Sequence, residues 1–263
     1  MTFRNGVMVS AKPPQSPLRA ASVARPAARS MLLAENEKLA GGPVPLFQEL
    51  SDREQKEVLA QGTRRVIRRR QTLFAQGTPH DGIYLIQSGR MRVFYTAPSG
   101  REITLAYWHP GNFVGGPEVF GSGLHSWSGA AMTDCSVVHF PGNVLRRLVM
   151  QIPSLAIGVI EGLAFKGKCY SALAQMLGTR SVTERLAHLL LHLADVYGVR
   201  EKDDIVVAAA LTHADIAHMV GATRQWVTIS LKRFEEQGIL TSGKSKIVIH
   251  RLDELGELRG GTA

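Results

Sequence analysis

From Gln71 to Phe140 the apolar residues come in short runs broken by Gly77, Gly82, Gly89, Gly100 and Gly111, a rhythm that predicts many short antiparallel strands. Ile83-Tyr-Leu-Ile86 and Met91-Arg-Val-Phe-Tyr95 are strands around Ser88-Gly89, and Pro98-Ser-Gly100 turns the chain toward Ile103-Thr-Leu105. Past Pro153 the pattern changes. Leu155, Val159, Leu163, Tyr170, Leu173 and Leu177 recur at intervals near three and four, with Lys166 interrupting, which predicts a long helix with an apolar seam. Gly178 breaks that helix. Ser181-x-x-Glu184 is a capping box that starts another, carrying Leu186, Leu189, Leu190 and Leu193 on its buried face. Tyr197 to Asp204 reads as an exposed polar loop.

Leu211 to Gly238 reads as two short helices joined by a tight turn. Thr212 and Thr223 stand where N-caps are expected, since their hydroxyls can accept from the unpaired N–H groups of the first turn. Gly221 tolerates the positive φ of a sharp turn, and small Ala217 lets the helices approach. In the second helix Val227, Leu231 and Phe234 form a buried stripe, while Arg224, Gln225, Thr228 and Lys232 face the other way. Such a helix fits the DNA major groove, where Arg pairs with guanine O6 and N7 and Gln with adenine N6 and N7. The alternative is the solvated face of an ordinary amphipathic helix. Ile239-Leu240 and Ile247-Val-Ile249 then make a hairpin wing whose Lys244 and Lys246 suit phosphate, as do Thr212, His213, Thr223 and Lys232 around the helices.

Composition narrows the partners. A formal charge of +9 and a pI near 9.9 imply a polyanion or a basic tail, and 263 residues with 44% hydrophobic content suit two modest domains. The first 43 residues carry Arg4, Lys12, Arg19, Arg25 and Arg29 among Ala, Pro and Ser, with no acid before Glu35, and read as a disordered basic tail. No apolar run is long enough to span a membrane and no secretion signal is seen, so a cytoplasmic location is expected. Cys135 and Cys169 are too few for a disulfide framework or an iron–sulfur site and read as reduced structural thiols. His213 and His218 at i, i+5 do not make a zinc pair, and no convergent acid, base or nucleophile points to an enzyme.

Helix, turn, helix and basic wing, in that order and after a strand-rich segment and a long helix, resemble the Crp/Fnr family of bacterial transcription regulators from about Leu46 to His250. The resemblance implies an α+β chain: a cyclic-nucleotide-binding-like β-roll over 44–150, a dimerisation helix over 151–178 and a winged helix-turn-helix over 181–258. It implies a homodimer that reads palindromic operators on double-stranded DNA, and contact with RNA polymerase through the 197–204 loop. A long helix lying only on its own roll is the alternative to the dimer.

In the cAMP-receptor branch an Arg, a Glu and a second Arg contact bases; these stations fall on Arg224, Gln225 and Ile229, so a different operator is expected. Ile229 offers apolar contact to a thymine methyl, or belongs to the core. Trp226 is expected to pack on the first helix.

The family's phosphate-binding stations also differ here. Gly115-Gly116 puts glycine where cAMP-binding members carry the ribose-binding Glu, and His125-Ser126 replaces their Arg-Ser, so cAMP is disfavoured. Glu118 is a substitute for the ribose contact and a protonated His125 for the anion cap. With Trp108, Phe113 and Trp127 nearby, an unidentified, mainly apolar small effector fits better, unless these rings only close the roll. Haem, held by a histidine, is a further possibility. Tyr170 and Ser171 align with dimer-helix residues that close over the effector from the partner subunit, and the hinge falls near Ser181. A ligand-binding module acting on a non-DNA partner and a non-specific basic scaffold are the rival functions.

Overall fold

The computed structural model describes residues 44–208, 211–243 and 246–260. The basic tail over 1–43 and the wing residue Lys244 lie outside the described residues. Helix α1 (Asp52–Ala60) opens on a capping box in which the Ser51 hydroxyl accepts from the Glu54 N–H and the Glu54 carboxylate accepts from the Ser51 N–H. Eight strands follow: β1 (Thr63–Ile67), β2 (Thr72–Phe74), β3 (Gly82–Ser88), β4 (Met91–Thr96), β5 (Glu102–Trp108), β6 (Phe113–Val114), β7 (Ser128–Ala131) and β8 (Cys135–Pro141).

They form two antiparallel sheets, ordered β1-β8-β3-β6 and β2-β7-β4-β5. β4 and β5 are a hairpin, as the Pro98-Ser-Gly100 turn predicts. β3 and β4 lie in different sheets, so Ser88-Gly89 is a crossing and not a hairpin turn. Gly89, at φ 85°, passes so close to the backbone of Asp134 that an added Cβ would stand 2.4 Å from its carbonyl oxygen. Strand alternation divides the core: Ile83 and Leu85 pack toward the helices with Leu145, Leu155 and Val159, while Tyr84 and Ile86 pack inside the roll with Met91, Val93, Trp108 and Val114.

α2 (Gly142–Gln151) leads into α3 (Pro153–Thr179), 27 residues long and therefore about 40 Å from end to end. The predicted apolar seam of α3 does not face outward as a unit. Leu155 and Val159 are buried in the chain's own roll, and Leu163 and Tyr170 flank them there. Gly158 and Gly162 bring the helix close enough that a Cβ would meet the Leu46 carbonyl oxygen at 2.3 Å and the Phe113 ring at 2.5 Å. The outward face is a different register. Ile157, Ile160, Ala164, Gly167, Ser171, Ala174 and Gly178 are exposed and spaced alternately three and four apart.

Arg180 is extended (φ −113°, ψ 140°) and separates α3 from α4 (Val182–Tyr197), whose N-terminus carries the Ser181–Glu184 capping box. The Arg185 guanidinium donates to the carbonyls of Leu177 and Arg180 across this break. The segment read as a polar loop is a hairpin, β9 (Gly198–Glu201) with β10 (Asp204–Val207). Its charged quartet Glu201-Lys-Asp-Asp204 is the turn, where Lys202 adopts φ 57°. α5 (His213–Val220), α6 (Arg224–Glu236), β11 (Leu240–Ser242), β12 (Ile247–Ile249) and α7 (Leu252–Leu258) complete the chain, and β10 extends the wing into a sheet ordered β11-β12-β10-β9.

Leu186, Leu189, Leu190 and Leu193 of α4 pack under Ile216, Val220, Val227, Leu231 and Phe234. Tyr107, from β5 of the roll, is buried in this same cluster, and Glu102 on that strand meets Arg92 at 2.7 Å and His218 of α5 at 3.8 Å. Among the described residues no helix is long and apolar enough to cross a membrane.

Candidate DNA-reading face and effector cavity

The reading face is built from two local devices. Thr212 caps α5 reciprocally with Asp215, its hydroxyl accepting from the Asp215 N–H at 3.1 Å while the carboxylate accepts from the Thr212 N–H at 2.9 Å. Thr223 caps α6 by accepting from the Trp226 N–H at 3.1 Å. Between them Gly221 is left-handed at φ 67° and ψ 43°, and the Ala222 N–H closes the turn on the Ala217 carbonyl at 2.9 Å.

The result is a helix α6 that buries Val227, Leu231 and Phe234 and leaves Arg224, Gln225, Thr228 and Lys232 exposed. Ile229 is 61% exposed, which removes it from the core. Trp226 is half-buried and packs against the core under the two helices.

A groove of about 550 Å³ gathers Thr212, His213, Thr228, Lys232, Glu235 and Ser242 on one surface. The Thr228 hydroxyl donates to the Arg224 carbonyl at 3.0 Å, so the His213 Nδ1 at 2.8 Å is a donor to it. Glu235 accepts from the Ser242 N–H at 2.6 Å and ties the wing to the helix. Lys246 is exposed at the wing turn; Lys232 stands 3.7 Å from Glu236 in a solvated pair that costs little to break.

The second site is a cavity of about 170 Å³ between the roll and α3. Of the predicted effector residues, Gly115, Gly116, Trp127 and Tyr170 line it. Glu118, Ser126 and Ser171 are exposed and outside it. Ser171 lies on the outward register of α3, whereas Tyr170 reaches the cavity of its own chain.

His125 is not an anion cap. It is buried, stacked on Phe74 at 4.4 Å and against His80 at 4.4 Å, and burial holds its imidazole below the ordinary histidine value. His80 also explains the glycine pair: a Cβ on Gly116 would stand 2.6 Å from the His80 ring, so no glutamate fits at that station.

Two residues escaped the sequence reading. His80 carried no pattern, and Lys166 looked like a break in an apolar run. Its ammonium lies 3.6 Å from the Trp108 ring centre and 4.4 Å from that of Phe113, buried at the cavity wall. Burial brings its pKa down to about 7 and pushes the neighbouring Cys169 thiol up to about 11. Trp127 donates its indole N–H to the Gly115 carbonyl at 3.0 Å and packs on Tyr170 at 5.5 Å between ring centres. These residues do not fit haem. Among the described residues no histidine lines the cavity, and its volume is close to the roughly 150 Å³ that accommodates one benzene ring, far less than a tetrapyrrole needs.

Residues 64–152 match the Cyclic nucleotide-binding domain family and residues 184–258 the Crp-like helix-turn-helix domain family. The chain is 32% identical over 179 residues to the CRP-like cAMP-activated global transcriptional regulator of Mycobacterium tuberculosis, covering 67% of this chain and 80% of that one. It is 25% identical over 219 residues to the Cyclic AMP receptor protein of Thermus thermophilus, covering 83% and 98%. In fold it is similar to the c-di-GMP responsive global regulator CLP of Xanthomonas campestris, with a TM-score of 0.68 at 21% identity over 76% of this chain and 99% of that one. A roll with a ligand-sized cavity, joined through one long helix to a winged reading head and matched by relatives named as regulators and not enzymes, places the chain in the Crp/Fnr family of transcription regulators.

Proposed function

We propose that this regulator works as a homodimer that reads palindromic operators, with Arg224, Gln225, Thr228 and Ile229 on base edges and Thr212, His213, Thr223, Lys232 and Lys246 on phosphates. The observation that carries the reading is the outward face of α6: Arg224, Gln225, Thr228 and Ile229 are all exposed, and Thr228 and Lys232 share one groove with Ser242 of the wing. Lys244 belongs to the same phosphate set by its place in the wing sequence.

Dimerisation is assigned to the outward register of α3. Ile157, Ile160, Ala164, Gly167, Ser171, Ala174 and Gly178 have heptad spacing, and the small residues permit close approach of a second copy. Two reading helices related by a two-fold then meet half-sites about 34–36 Å apart.

The effector is assigned to the roll cavity and is not cAMP, because His80 occupies the space of the ribose-binding side chain and no arginine among the described residues lines the wall. Coupling runs through β5. Trp108 faces the cavity while its neighbour Tyr107 sits on the opposite face, inside the core of the reading head, so a displacement of the strand reaches both. The Arg180–Ser181 break is the joint that such a displacement would turn. Only an effector with unequal affinity for the two arrangements shifts the population. The exposed turn Glu201-Lys-Asp-Asp204 is the surface assigned to RNA polymerase, and the cytoplasm is the compartment where these partners meet.

Arg224→Ala is expected to cost about 1 to 3 kcal/mol on the cognate operator and to relax one base pair, while Lys246→Ala weakens cognate and random duplexes alike. Mobility shifts on both duplexes measure this, and equal losses for both variants on both duplexes would refute the division of roles.

A further inference from the structure

The Lys166 ammonium sits at the edge of the cavity with no hydrogen bond and no carboxylate partner among the described residues. It meets two aromatic faces instead, at 3.6 and 4.4 Å. An aromatic face stabilises a cation only partly, and a buried charge without a counter-ion is costly. Everything else around the space is apolar or weakly polar: Val93, Trp108, Val114, Trp127 and Leu163, with Tyr170 one turn further along the same helix as Lys166. The volume, about 170 Å³, suits one six-membered ring and a short substituent, and is too small for a purine, a sugar and a phosphate together.

We propose that the effector is a small aryl carboxylate whose ring lies against Trp108, Trp127 and Tyr170 and whose carboxylate pairs with Lys166. This rests on the reading of the cavity as the effector site. A carboxylate is preferred over a phenol because it is ionised at neutral pH, whereas a free phenol, with a pKa near 10, is not. The Tyr170 phenol, pushed up by burial, stays protonated and is a donor to the same anion.

The groups that face Lys166 are few. Cys169 on its own helix and Tyr170 titrate well above neutrality; the strands packed against it contribute Val93, Trp108, Phe113 and Val114, which carry no charge. Between about pH 6 and 9 the ligand carboxylate remains ionised, so the lysine alone sets the pH dependence of binding. With a free-state pKa of about 7, it must take up a proton to pair with an anion at higher pH. Affinity for an acid therefore falls about tenfold per pH unit above neutrality, and affinity for a neutral analogue does not.

The test is tryptophan fluorescence titration of the full chain with phenylacetate, phenylacetamide and cAMP, since Trp108 and Trp127 both line the cavity. Phenylacetate is expected to bind at least about tenfold more tightly than the amide, as a charge-assisted hydrogen bond requires, and Lys166→Met should abolish the difference. The wild-type pH profile provides the same decision without any variant. Equal binding of acid and amide, a profile flat above neutrality, or no saturable quenching by millimolar phenylacetate would overturn the proposal. Operator affinity measured in the same samples separates the two readings. Acid binding that leaves operator affinity unchanged removes effector control and keeps the ligand class, whereas cAMP-driven operator binding without acid binding removes the ligand class and keeps effector control.

Discussion

A lysine amine held against Trp108 and Phe113 at a cavity wall has given up much of its hydration, and its protonation becomes a term in the stability of the whole fold. In the unfolded chain Lys166 keeps the ordinary value of 10.5, and in the folded chain it falls to about 7. Below pH 7 it is charged in both states and the burial penalty is complete. Between 7 and 10.5 the folded chain releases the proton first, so this residue makes stability rise with pH, and above 10.5 the effect is spent. Lys166→Met should therefore stabilise the protein, by about 2 kcal/mol at pH 6 and by clearly less at pH 9, read from urea midpoints. A gain that is absent, or the same at both pH values, would show that the amine is not desolvated. The contrast with Thr212, Thr223 and Gly221 is physical. A cap or a left-handed turn is decided within four residues of sequence, and these three were legible, whereas the roles of Lys166 and His80 depend on strands distant in sequence folding against them.

At the scale of elements, α3 presents apolar or small residues on two faces, and only one of them touches its own roll. Periodicity found the helix, but Leu155 and Val159 of the seam it picked out pack on the roll, because apolar residues recur on the exposed face of this helix as well. Leu155 and Val159 belong to the roll, and the proposed interface is the register of Ile157 and Ile160, the latter 60% exposed. Ile160→Asp should leave the circular dichroism spectrum unchanged, since that side chain makes no core contact in the monomer. It should convert the dimer to a monomer in sedimentation and weaken operator binding by at least about tenfold through loss of the second half-site. A dimer that survives this substitution would place the interface elsewhere. The same local logic explains the segment read as a loop and the crossing between sheets. Glu201-Lys-Asp-Asp204 is polar because it is a turn, but the strands on either side of it pair, Val199 with Val206 and Ile205 with Arg200. The strands on either side of Ser88-Gly89 were legible, but nothing local records that the chain changes sheet there.

At the scale of the molecule, the order of roll, long helix and reading head was legible because each has its own hydrophobic period. The junction between them was not, since Tyr107 belongs by sequence to a roll strand and by packing to the core of the reading head. Adjacent residues of one strand thus touch the cavity and the DNA-reading unit, and a two-fold pair of such chains would place two α6 helices one turn of duplex apart. Selection of bound sequences from a pool of random duplex DNA by the full chain tests this most directly. The account predicts enrichment of inverted half-sites about 10 base pairs apart, centre to centre, with a base preference at one position of each half-site that disappears for Arg224→Ala. Recovery of unenriched DNA, or of single half-sites with no partner, would contradict it.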